Sequence, residues 1–488
     1  MAAASRWAPT GPRAPPLPAP PAPAQSVRAA PGGRQPIAAL RLPAPSNRGA
    51  PRGGKRPPPV WVRAMPGRAA VRGRVGSGQG GAGAGRGRAR HGTAAAARHA
   101  ARRAPALPAG RGPVRDDTPH VPNEKLGEEK VLHIIENLTS LIKETFPDTK
   151  VYAAMGNHDF HPKNQFPGRQ HRIYNRTAEL WRPWLNDAST AFFRAGAFYS
   201  EKLPSPGTRG RMVVLNTNLY YDQNDETADE EDPGGQFQWL EETLTNASRA
   251  DEMVYIVGHV PPGFFEKKRG KPWFRSGFNE RYLKTVQKHH RVIAAQFFGH
   301  HHTDSFRMFY SDTGSPINVM FLAPGVTPWK TTLPGVNNGA NNPGIRVINY
   351  DPDTLQVLDM VTYYLNLTRA NMMAPTWEEE FPTWEEEYVL TEAFQVPDGS
   401  ARSMQMVLER MSKDPHYLQQ YYEFNSVRYD LTPCEEACRV DHVCAIREID
   451  FTKYDECVKA SSSASAAASV WFLFFCLLLR LLSPQQAL

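Results

Sequence analysis

The sequence is poor in acidic residues at its amino terminus, in cysteine throughout, and in long apolar runs. Residues 1–115 contain no aspartate or glutamate, although they hold 21 lysine or arginine residues. The other 373 residues carry 36 basic against 49 acidic side chains, a net charge of −13. The overall charge of +8 averages two unlike pieces, so it does not indicate nucleic-acid binding by the folded part.

Cysteine is scarce, with five residues and no C-x-x-C pair, which argues against a zinc finger. Four cysteines cluster within 24 residues, and Cys476 stands alone near the carboxyl terminus. The cluster could hold zinc, but two disulfides that staple a small helical cap fit better. The clustered residues are Cys434, Cys438, Cys444 and Cys457. Their pairing is left open by the sequence.

No apolar run at the carboxyl terminus reaches the roughly 20 residues that span a bilayer. Val470–Leu482 has 13 residues and is apolar apart from Arg480, and it follows the small residues of Ala460–Ser469. This arrangement matches a glycosylphosphatidylinositol (GPI) attachment signal, cleaved near Ala460–Ser463. A short membrane anchor or an uncleaved tail is the alternative. We therefore expect a GPI-anchored protein on the outer face of the plasma membrane.

Residues 1–115 are mainly alanine, proline, glycine and arginine, and they include no continuous apolar segment of the signal-peptide kind. Such a composition buries too little apolar surface to offset the entropy of ordering, which predicts a disordered leader. The arginines around Arg86–Arg90 could contact nucleic acid, but a translated leader that replaces the true start is the simpler interpretation. Secretion is nevertheless indicated by four Asn-x-Ser/Thr glycosylation sequons, at Asn137, Asn175, Asn246 and Asn366.

From residue 116 onward, apolar runs alternate with amphipathic helices, a pattern that predicts an α/β sandwich. The predicted strands are Lys150–Ala154, Met212–Leu215, Met253–Val257, Val292–Phe298 and Val319–Leu322. The predicted helices are Glu128–Phe146, Phe237–Arg249, Arg281–His290, Tyr388–Phe394 and Ser403–Met411. We divide the chain into a leader (1–115), a catalytic domain (116–375), a helical, disulfide-stapled subdomain (376–459) and the attachment signal (460–488).

Three polar loops follow three of the predicted strands. They are Gly156-Asn157-His158-Asp159, Gly258-His259, and Gly299-His300-His301-His302. Imidazole, carboxamide and carboxylate groups suit Zn²⁺ and related divalent ions. On an extended segment His300 and His302 would face one side and His301 the other, so His301 is assigned a structural role. Together the loops predict a metal site at the strand ends, where α/β sheets place their ligands.

The three loops resemble those of the calcineurin-like metallophosphoesterases. Two longer stretches, Gly156–Gln165 and Phe298–Ser305, together with His259-Val260-Pro261-Pro262-Gly263, look like the acid sphingomyelinase-like phosphodiesterases. The carboxyl-terminal anchor signal favours the membrane-anchored 3B branch over the secreted 3A branch. This resemblance runs from about Asp116 to the carboxyl terminus and implies a metallophosphoesterase β-sandwich flanked by helices.

The resemblance implies two Zn²⁺ ions. Asn157, His259 and His300 would hold one, while His302 and the bridging Asp116 would hold the other with an aspartate and a histidine of an early D-x-H motif. Residues 1–115 contain no aspartate, so that motif is missing, and Val114-Arg115 stands where Thr-Gly is expected. The first strand would be missing as well, which would leave a sheet edge open. We therefore expect the second metal to bind weakly or not at all, and this chain to be inactive or poorly folded.

The resemblance further implies metal-activated hydroxide attack on a phosphodiester, with His158 as general acid. Asp159 would orient His158 or cap the following turn, and His120 would contact phosphate or be an ordinary loop residue. Substrates would be sphingomyelin-like lipids or nucleotides, and a monomer is expected. The rival interpretation is a non-catalytic membrane-surface protein that binds lipids or receptor partners.

Overall fold

The structure is a computed structural model that describes residues 127–204, 208–326, 341–373 and 382–461. Outside these ranges it gives the strand segments Trp61–Met65, Val71–Arg72 and Trp329–Lys330, and Ala340 of the strand Ala340–Asn341. Asp116, His120 and residues 462–488 lie outside the described residues. The predictions made for the bridging aspartate, the phosphate-contacting histidine and most of the attachment signal therefore remain predictions.

A small sheet contains the strand that leads into the first polar loop. In it β1 (Trp61–Met65) pairs antiparallel with β2 (Val71–Arg72) and parallel with β3 (Val151–Met155). Two segments of residues 1–115 form these strands, and the other residues of this predicted leader lie outside the described residues. The edge of β3 that was expected to be open is paired with β1, which satisfies its backbone N–H and C=O groups.

A six-stranded mixed sheet forms the centre of the fold, in the order β4-β5-β6-β7-β9-β8. Strands β5, β6, β7 and β9 run parallel, while β4 and β8 are antiparallel to their neighbours at the two edges. The strands are β4 (Tyr199–Lys202), β5 (Gly210–Val214), β6 (Met253–Val257), β7 (Ile293–Phe298), β8 (Ser305–Tyr310) and β9 (Pro316–Leu322). The inner strands are almost wholly buried, as expected for parallel strands covered on both faces.

Two further sheets and several α-helices belong to the described part of the chain. The pair β10 (Trp329–Lys330) and β11 (Ala340–Asn341) is antiparallel, and so are β12 (Gly344–Tyr350), β13 (Val357–Tyr364) and β14 (Glu385–Val389). The helices are α1 (Glu128–Thr145), α2 (Arg172–Leu180), α3 (Asp187–Gly196), α4 (Gln236–Arg249), α5 (Ser276–His289), α6 (Leu367–Met373), α7 (Leu390–Phe394), α8 (Ala401–Lys413), α9 (Pro415–Asn425) and α10 (Glu436–Arg447). Residues 451–461 are also helical.

The layers meet through buried aromatic side chains. Tyr199 of β4 accepts a hydrogen bond from the Ala153 N–H of β3 at 2.8 Å. On the same face of the central sheet, the rings of Tyr255 in β6 and Tyr350 in β12 lie 6.1 Å apart. The sheet β2-β1-β3 and the sheet β12-β13-β14 therefore both pack against this face, within a single hydrophobic core. The predicted α/β class, a mixed sheet with flanking helices and a helical carboxyl-terminal region, is confirmed.

One predicted helix, Tyr388–Phe394, is wrong in its first two residues. Tyr388 and Val389 belong to β14, which pairs with β13, and the helix begins only at Leu390. The Tyr388 ring stacks on Phe424 with centroids 4.1 Å apart, and its hydroxyl donates a hydrogen bond to Asp304. Tertiary contacts thus select the strand. The pairing of β14 with β13 also crosses the predicted domain boundary at residue 375.

The predicted disulfides are confirmed, and the structure supplies their connectivity. Cys434 bonds Cys438, and Cys444 bonds Cys457. The second bond ties α10 to the helix at residues 451–461, over a small core that includes Phe264 and Tyr454. Among the described residues, no helix combines the length and the apolar character needed to cross a bilayer.

A buried histidine in α10 predicts that acid weakens the fold. The His442 ring lies against Tyr421 and Tyr422, and burial lowers the pKa of His442 to about 3. In the unfolded chain His442 takes up a proton as pH falls through about 6.5, whereas in the folded protein it stays neutral until about pH 3. The free energy of unfolding therefore falls as pH drops below about 6.5. At pH 5 the loss is about 2 kcal/mol. The charged groups that act on this ring are Lys267, Glu266, Arg307 and Asp430.

We expect His442→Phe to reduce this loss, measured as the change in the free energy of unfolding by urea between pH 7 and pH 5. The exposed His133 provides the control, and His133→Phe is expected to leave the pH dependence as in the wild type. An unchanged pH dependence in His442→Phe would contradict the assignment.

Candidate metal centre

The three polar loops each follow the carboxyl end of a strand. Asn157 comes two residues after β3, His259 two residues after β6, and His300 two residues after β7. Strands β6 and β7 are parallel neighbours, with Val257 opposite Phe297. The two histidines therefore emerge at the same edge of the central sheet, as expected for ligands on an α/β fold.

Three donor atoms from these loops converge on one point. Asn157 Oδ1 lies 2.9 Å from His259 Nε2 and 3.3 Å from His300 Nδ1. The two imidazole nitrogens are 3.3 Å from each other. Asn157 and His259 are buried at 5% and 1% exposure, so the group is largely shielded from water.

These separations fit a divalent metal ion. Zinc bound by nitrogen or oxygen at about 2.1 Å in a tetrahedral or more crowded shell sets neighbouring ligand atoms roughly 3 to 3.5 Å apart. Carboxamide oxygen and neutral imidazole both offer lone pairs to such an ion. Within the described residues, no three histidine, cysteine or carboxylate side chains gather into a metal-binding group. The asparagine is therefore needed to complete the triangle.

The orientation of Asn157 is fixed by two residues that sequence reasoning did not single out. Its Nδ2 donates to Asn164 Oδ1 at 2.8 Å, and Asn164 Nδ2 donates to Gln223 Oε1 at 3.1 Å. The carboxamide nitrogen is thereby turned away, and Oδ1 faces the two histidines. Such outer partners set ligand orientation. Asn164 lies within the motif that carries the family resemblance, but Gln223 is 59 residues farther along.

Aromatic rings and other imidazoles surround His300. The Tyr221 and Trp273 rings meet it nearly edge-on, at 5.1 Å and 4.5 Å between centroids. Burial first, and then neighbouring imidazoles, lower the pKa of His300 well below its usual value. Those imidazoles belong to His158, His259, His301 and His302. His300 is therefore neutral near pH 7, and its lone pair is available to a metal.

The glycine before His259 is required by close packing. A Cβ at Gly258 would lie 2.5 Å from a ring carbon of Phe298 and 3.0 Å from Thr217 Cγ2. The lack of a side chain at Gly258 lets the end of the strand approach Phe298.

The Gly299–His302 loop is not the extended segment that was assumed. His300 and His302 both adopt left-handed backbone conformations, with φ of 69° and 58°. Alternation along a strand therefore does not place their side chains. His302 still lies near His300, because it contributes to the lowered pKa of that residue. His301 has the predicted structural role: its Nε2 accepts from Trp273 Nε1 at 2.6 Å, and its Nδ1 lies 3.0 Å from Glu266 Oε2.

His158 and Asp159, the predicted catalytic pair, follow Asn157 directly. His158 is partly exposed, whereas Asp159 is buried. The Asp159 carboxylate accepts a hydrogen bond from the Gly156 N–H at 2.9 Å, and the Asp159 N–H donates to the Gly156 carbonyl at the same distance. Asp159 thus closes the turn that precedes it, and the two predicted roles, orienting His158 and capping the following turn, stay predictions.

The glycosylation sequons lie on the surface of the described part of the chain. Asn137 in α1 and Asn246 in α4 are exposed, while Asn175 and Asn366 are partly exposed. All four asparagines are therefore at least partly accessible to solvent.

Comparison with known families divides the chain into two matched regions. The calcineurin-like phosphoesterase family matches residues 125–304, which include the three ligand loops. The acid sphingomyelin phosphodiesterase C-terminal region matches residues 315–464, which include α8, α9 and the disulfide-bonded α10.

Individual relatives agree with this division. The acid sphingomyelinase-like phosphodiesterase 3b of Mus musculus is 66% identical over 344 residues, 70% of this chain and 74% of the mouse protein. The protein of that name from Homo sapiens is 64% identical over 349 residues, 71% and 75% of the two chains. The human cyclic GMP-AMP phosphodiesterase SMPDL3A is 38% identical over 347 residues, 70% and 74%. The chain therefore belongs to the acid sphingomyelinase-like phosphodiesterases, metal-dependent phosphoric diester hydrolases with the calcineurin-like fold.

Proposed function

We propose that this protein hydrolyses phosphodiester bonds at the outer cell surface, with zinc bound by Asn157, His259 and His300. The observation that carries the proposal is the convergence of these three donor atoms within 3.3 Å of one another. Two imidazoles and a carboxamide oxygen form a ligand set that zinc accepts. Membership of this chain in the acid sphingomyelinase-like phosphodiesterase family supports phosphodiester hydrolysis as the reaction.

The residues of the chain supply binding, orientation and a proton. A divalent ion at this position would neutralise phosphoryl charge and make water nucleophilic near neutral pH. Asn164 holds the Asn157 oxygen toward the two histidines, and Trp273 and Tyr221 restrain His300. His158 is partly exposed next to Asn157, and we propose that it protonates the leaving oxygen as general acid.

A second zinc would be held by His302 and Asp116 together with the D-x-H residues of the family pattern. His302 is buried at 9% exposure beside the first group of ligands. Residues 1–115 supply no aspartate for the D-x-H motif. We therefore propose full occupancy of the first site and weak occupancy of the second in this chain.

The substrate is proposed to be a sphingomyelin-like lipid or a nucleotide phosphodiester. The names of the relatives cover both, since one is a cyclic GMP-AMP phosphodiesterase and another, from Bos taurus, is a sphingomyelin phosphodiesterase. Parallel assays with sphingomyelin vesicles and with cyclic GMP-AMP would separate them. Product release from only one of the two would assign the substrate class.

We also propose secretion, glycosylation and attachment of a GPI anchor near Ala460–Ser463, with the protein acting as a monomer. The support is the four sequons, the two disulfides and the small-residue spacer before Val470–Leu482. Release of the full chain from cells by phosphatidylinositol-specific phospholipase C would test the anchor. Retention on the membrane after that treatment would favour a transmembrane or uncleaved tail.

The second candidate function is a non-catalytic membrane-surface protein that binds lipids or receptor partners. It is favoured by the absence of aspartate from residues 1–115. Under this alternative the fold is retained for binding, and loss of metal leaves the binding unchanged.

Metal removal discriminates between the two functions. We expect the purified full chain to contain zinc and to hydrolyse bis-p-nitrophenyl phosphate. Dialysis against a chelator is expected to abolish hydrolysis, and added Zn²⁺ to restore it, since the ligand group depends on a metal for its chemistry. Zinc content by atomic emission and the rate of p-nitrophenol release are the measurements. No bound zinc and no hydrolysis in the intact protein would overturn the enzymatic proposal.

A further inference from the structure

We propose that Glu266 is a positioning residue that fixes the Gly299–His302 loop in its metal-binding conformation, acting through His301 and Thr303. This proposal rests on the proposed function, because it assigns how the same metal centre is held. Glu266 lies 34 residues before His300 in the chain and is not one of the three proposed metal ligands. Its side chain is inaccessible to solvent.

The Glu266 carboxylate is a hub for four donors. Oε2 accepts from Arg307 Nη2 at 2.5 Å and from His301 Nδ1 at 3.0 Å. Oε1 accepts from Thr303 Oγ1 at 2.7 Å and from Asn425 Nδ2 at 2.9 Å. Three of these donors come from one short segment, residues 301–307. A single carboxylate therefore holds both the middle of the ligand loop and the strand that follows it.

The carboxylate is charged in this setting. Burial alone would raise the pKa of Glu266, but the Arg307 guanidinium and His301 hold it well below its usual range. A buried carboxylate is tolerated when its lone pairs are satisfied by charged and neutral donors. The hub is thus saturated and leaves little freedom for the side chains bound to it.

His301 transmits this constraint to His300. Because His301 Nε2 accepts a hydrogen bond from Trp273 Nε1 at 2.6 Å, its Nδ1 carries the proton that faces Glu266. The same Trp273 ring packs edge-on against His300, 4.5 Å between centroids. Glu266, His301 and Trp273 therefore form a chain of contacts that ends on a metal ligand.

The backbone of the loop explains why such a restraint is needed. His300 and His302 are both in the left-handed region, which is unfavourable for residues with a Cβ. Conformations of this kind persist when the surroundings over-determine them. His301 lies between the two strained residues and Thr303 follows the second, and Glu266 binds both.

The hub also joins the carboxyl-terminal helices to the loop. Asn425, the last residue of α9, donates from its side chain to Glu266 and to the Asp304 carbonyl, the latter at 3.0 Å. The Asp304 N–H donates back to the Asn425 carbonyl at 3.0 Å. The second family region is thereby tied directly to the metal-binding loop of the first.

The test measures zinc affinity in the full chain by competition with a chelating dye at neutral pH. Glu266→Gln is expected to weaken zinc binding about tenfold or more, in the range found for outer-sphere residues of metal sites. The visible spectrum of the Co²⁺-substituted protein is expected to change as well, since His300 would be less well placed. Both readouts report on the metal site independently of hydrolysis.

The matched control is Glu201→Gln. Glu201 is also a buried carboxylate, 4% exposed, paired with Lys150 and accepting from the Asn186 N–H, but it has no contact with the histidine loop. We expect Glu201→Gln to lower the melting temperature without changing zinc affinity. A purely structural role for Glu266 would give that same result, and zinc binding within twofold of wild type in folded Glu266→Gln would overturn the proposal.

A milder variant covers the case in which Glu266→Gln does not fold. Trp273→Phe removes the five-membered ring with the Nε1–H that binds His301, and it keeps a six-membered aromatic ring at this position. A severalfold loss of zinc affinity is expected, and wild-type affinity would contradict the proposed chain of contacts. Wild-type protein that binds no zinc would instead overturn the proposed function itself, so the two failures are distinguishable.

Discussion

Asn157→Ala is expected to lower kcat/KM for bis-p-nitrophenyl phosphate by at least about 10³-fold, with loss of the zinc bound at the first site. The substitution deletes the oxygen that lies 2.9 Å from His259 Nε2 and 3.3 Å from His300 Nδ1. Two imidazoles alone hold zinc poorly. A bound metal supplies several kcal/mol of transition-state stabilisation, and each 1.36 kcal/mol is a factor of ten in rate. Zinc content and steady-state kinetics on the same preparation provide the measurement.

The matched control for this prediction is Asn279→Ala. Asn279 is also buried, at 2% exposure, and its side chain bonds the Gly263 N–H and the Ile449 carbonyl rather than any of the three proposed ligands. Asn279→Ala should reduce the free energy of unfolding while zinc content remains at the wild-type level. Retained zinc and undiminished hydrolysis in Asn157→Ala would show that the three donors do not form the metal site.

An intermediate variant separates the ligand from its support. Asn164→Ala leaves the Asn157 oxygen in place but removes the partner of its Nδ2. The freed carboxamide can then rotate, so we expect zinc affinity to fall by about 10- to 100-fold while the occupied enzyme keeps most of its kcat. If Asn164→Ala and Asn157→Ala reduced zinc affinity and kcat equally, Asn164 would have a role beyond orienting the Asn157 side chain.

The ligand loops were predictable from the sequence because each follows a compact apolar run. Met253–Val257 was predicted with its observed bounds, and a buried parallel strand has such a run as its signature. Asn157, His259 and His300 then lie at strand ends, where the chain of a parallel sheet presents polar groups. The local sequence is sufficient to locate these strands and the ligands at their ends, because the pattern of burial repeats along each strand.

The supporting contacts could not be predicted in the same way. Glu266 and Asn425 are 159 residues apart, and Asn164 and Gln223 are 59 apart, yet each pair is hydrogen-bonded. A single sequence contains no periodic signal for such pairs. The left-handed backbone of His300 and His302 was also missed, since histidine rarely adopts it and only the surrounding network selects it.

Tyr388 and Val389 illustrate a third kind of failure, in which the local pattern and the tertiary pairing disagree. The side chains of Tyr388–Phe394 are compatible with a helix, but β13 offers a strand edge and Phe424 offers a stacking partner for Tyr388. The free energy gained from these long-range contacts exceeds the small differences in intrinsic propensity.

Replacing residues 1–115 with an apolar strand that carries D-x-H followed by Thr-Gly is expected to convert the chain into a two-zinc enzyme. The family pattern places that aspartate and histidine, together with His302 and Asp116, around the second ion. Because two adjacent ions stabilise both the attacking and the leaving oxygen, we expect kcat/KM to rise by at least about 10³-fold over this chain. Zinc per chain should rise from about one to about two.

The same graft with alanine in place of the D-x-H aspartate is the control, because it restores the strand without restoring the ligand. If the gain came from sheet completion alone, both grafts would be equally active. The structure gives a reason to expect otherwise, since the β3 edge is already paired by Trp61–Met65 in this chain. Backbone pairing at that edge does not depend on which side chains are presented, whereas metal binding does. Two zinc ions in the unmodified chain would contradict the prediction and would require ligands other than the D-x-H pair.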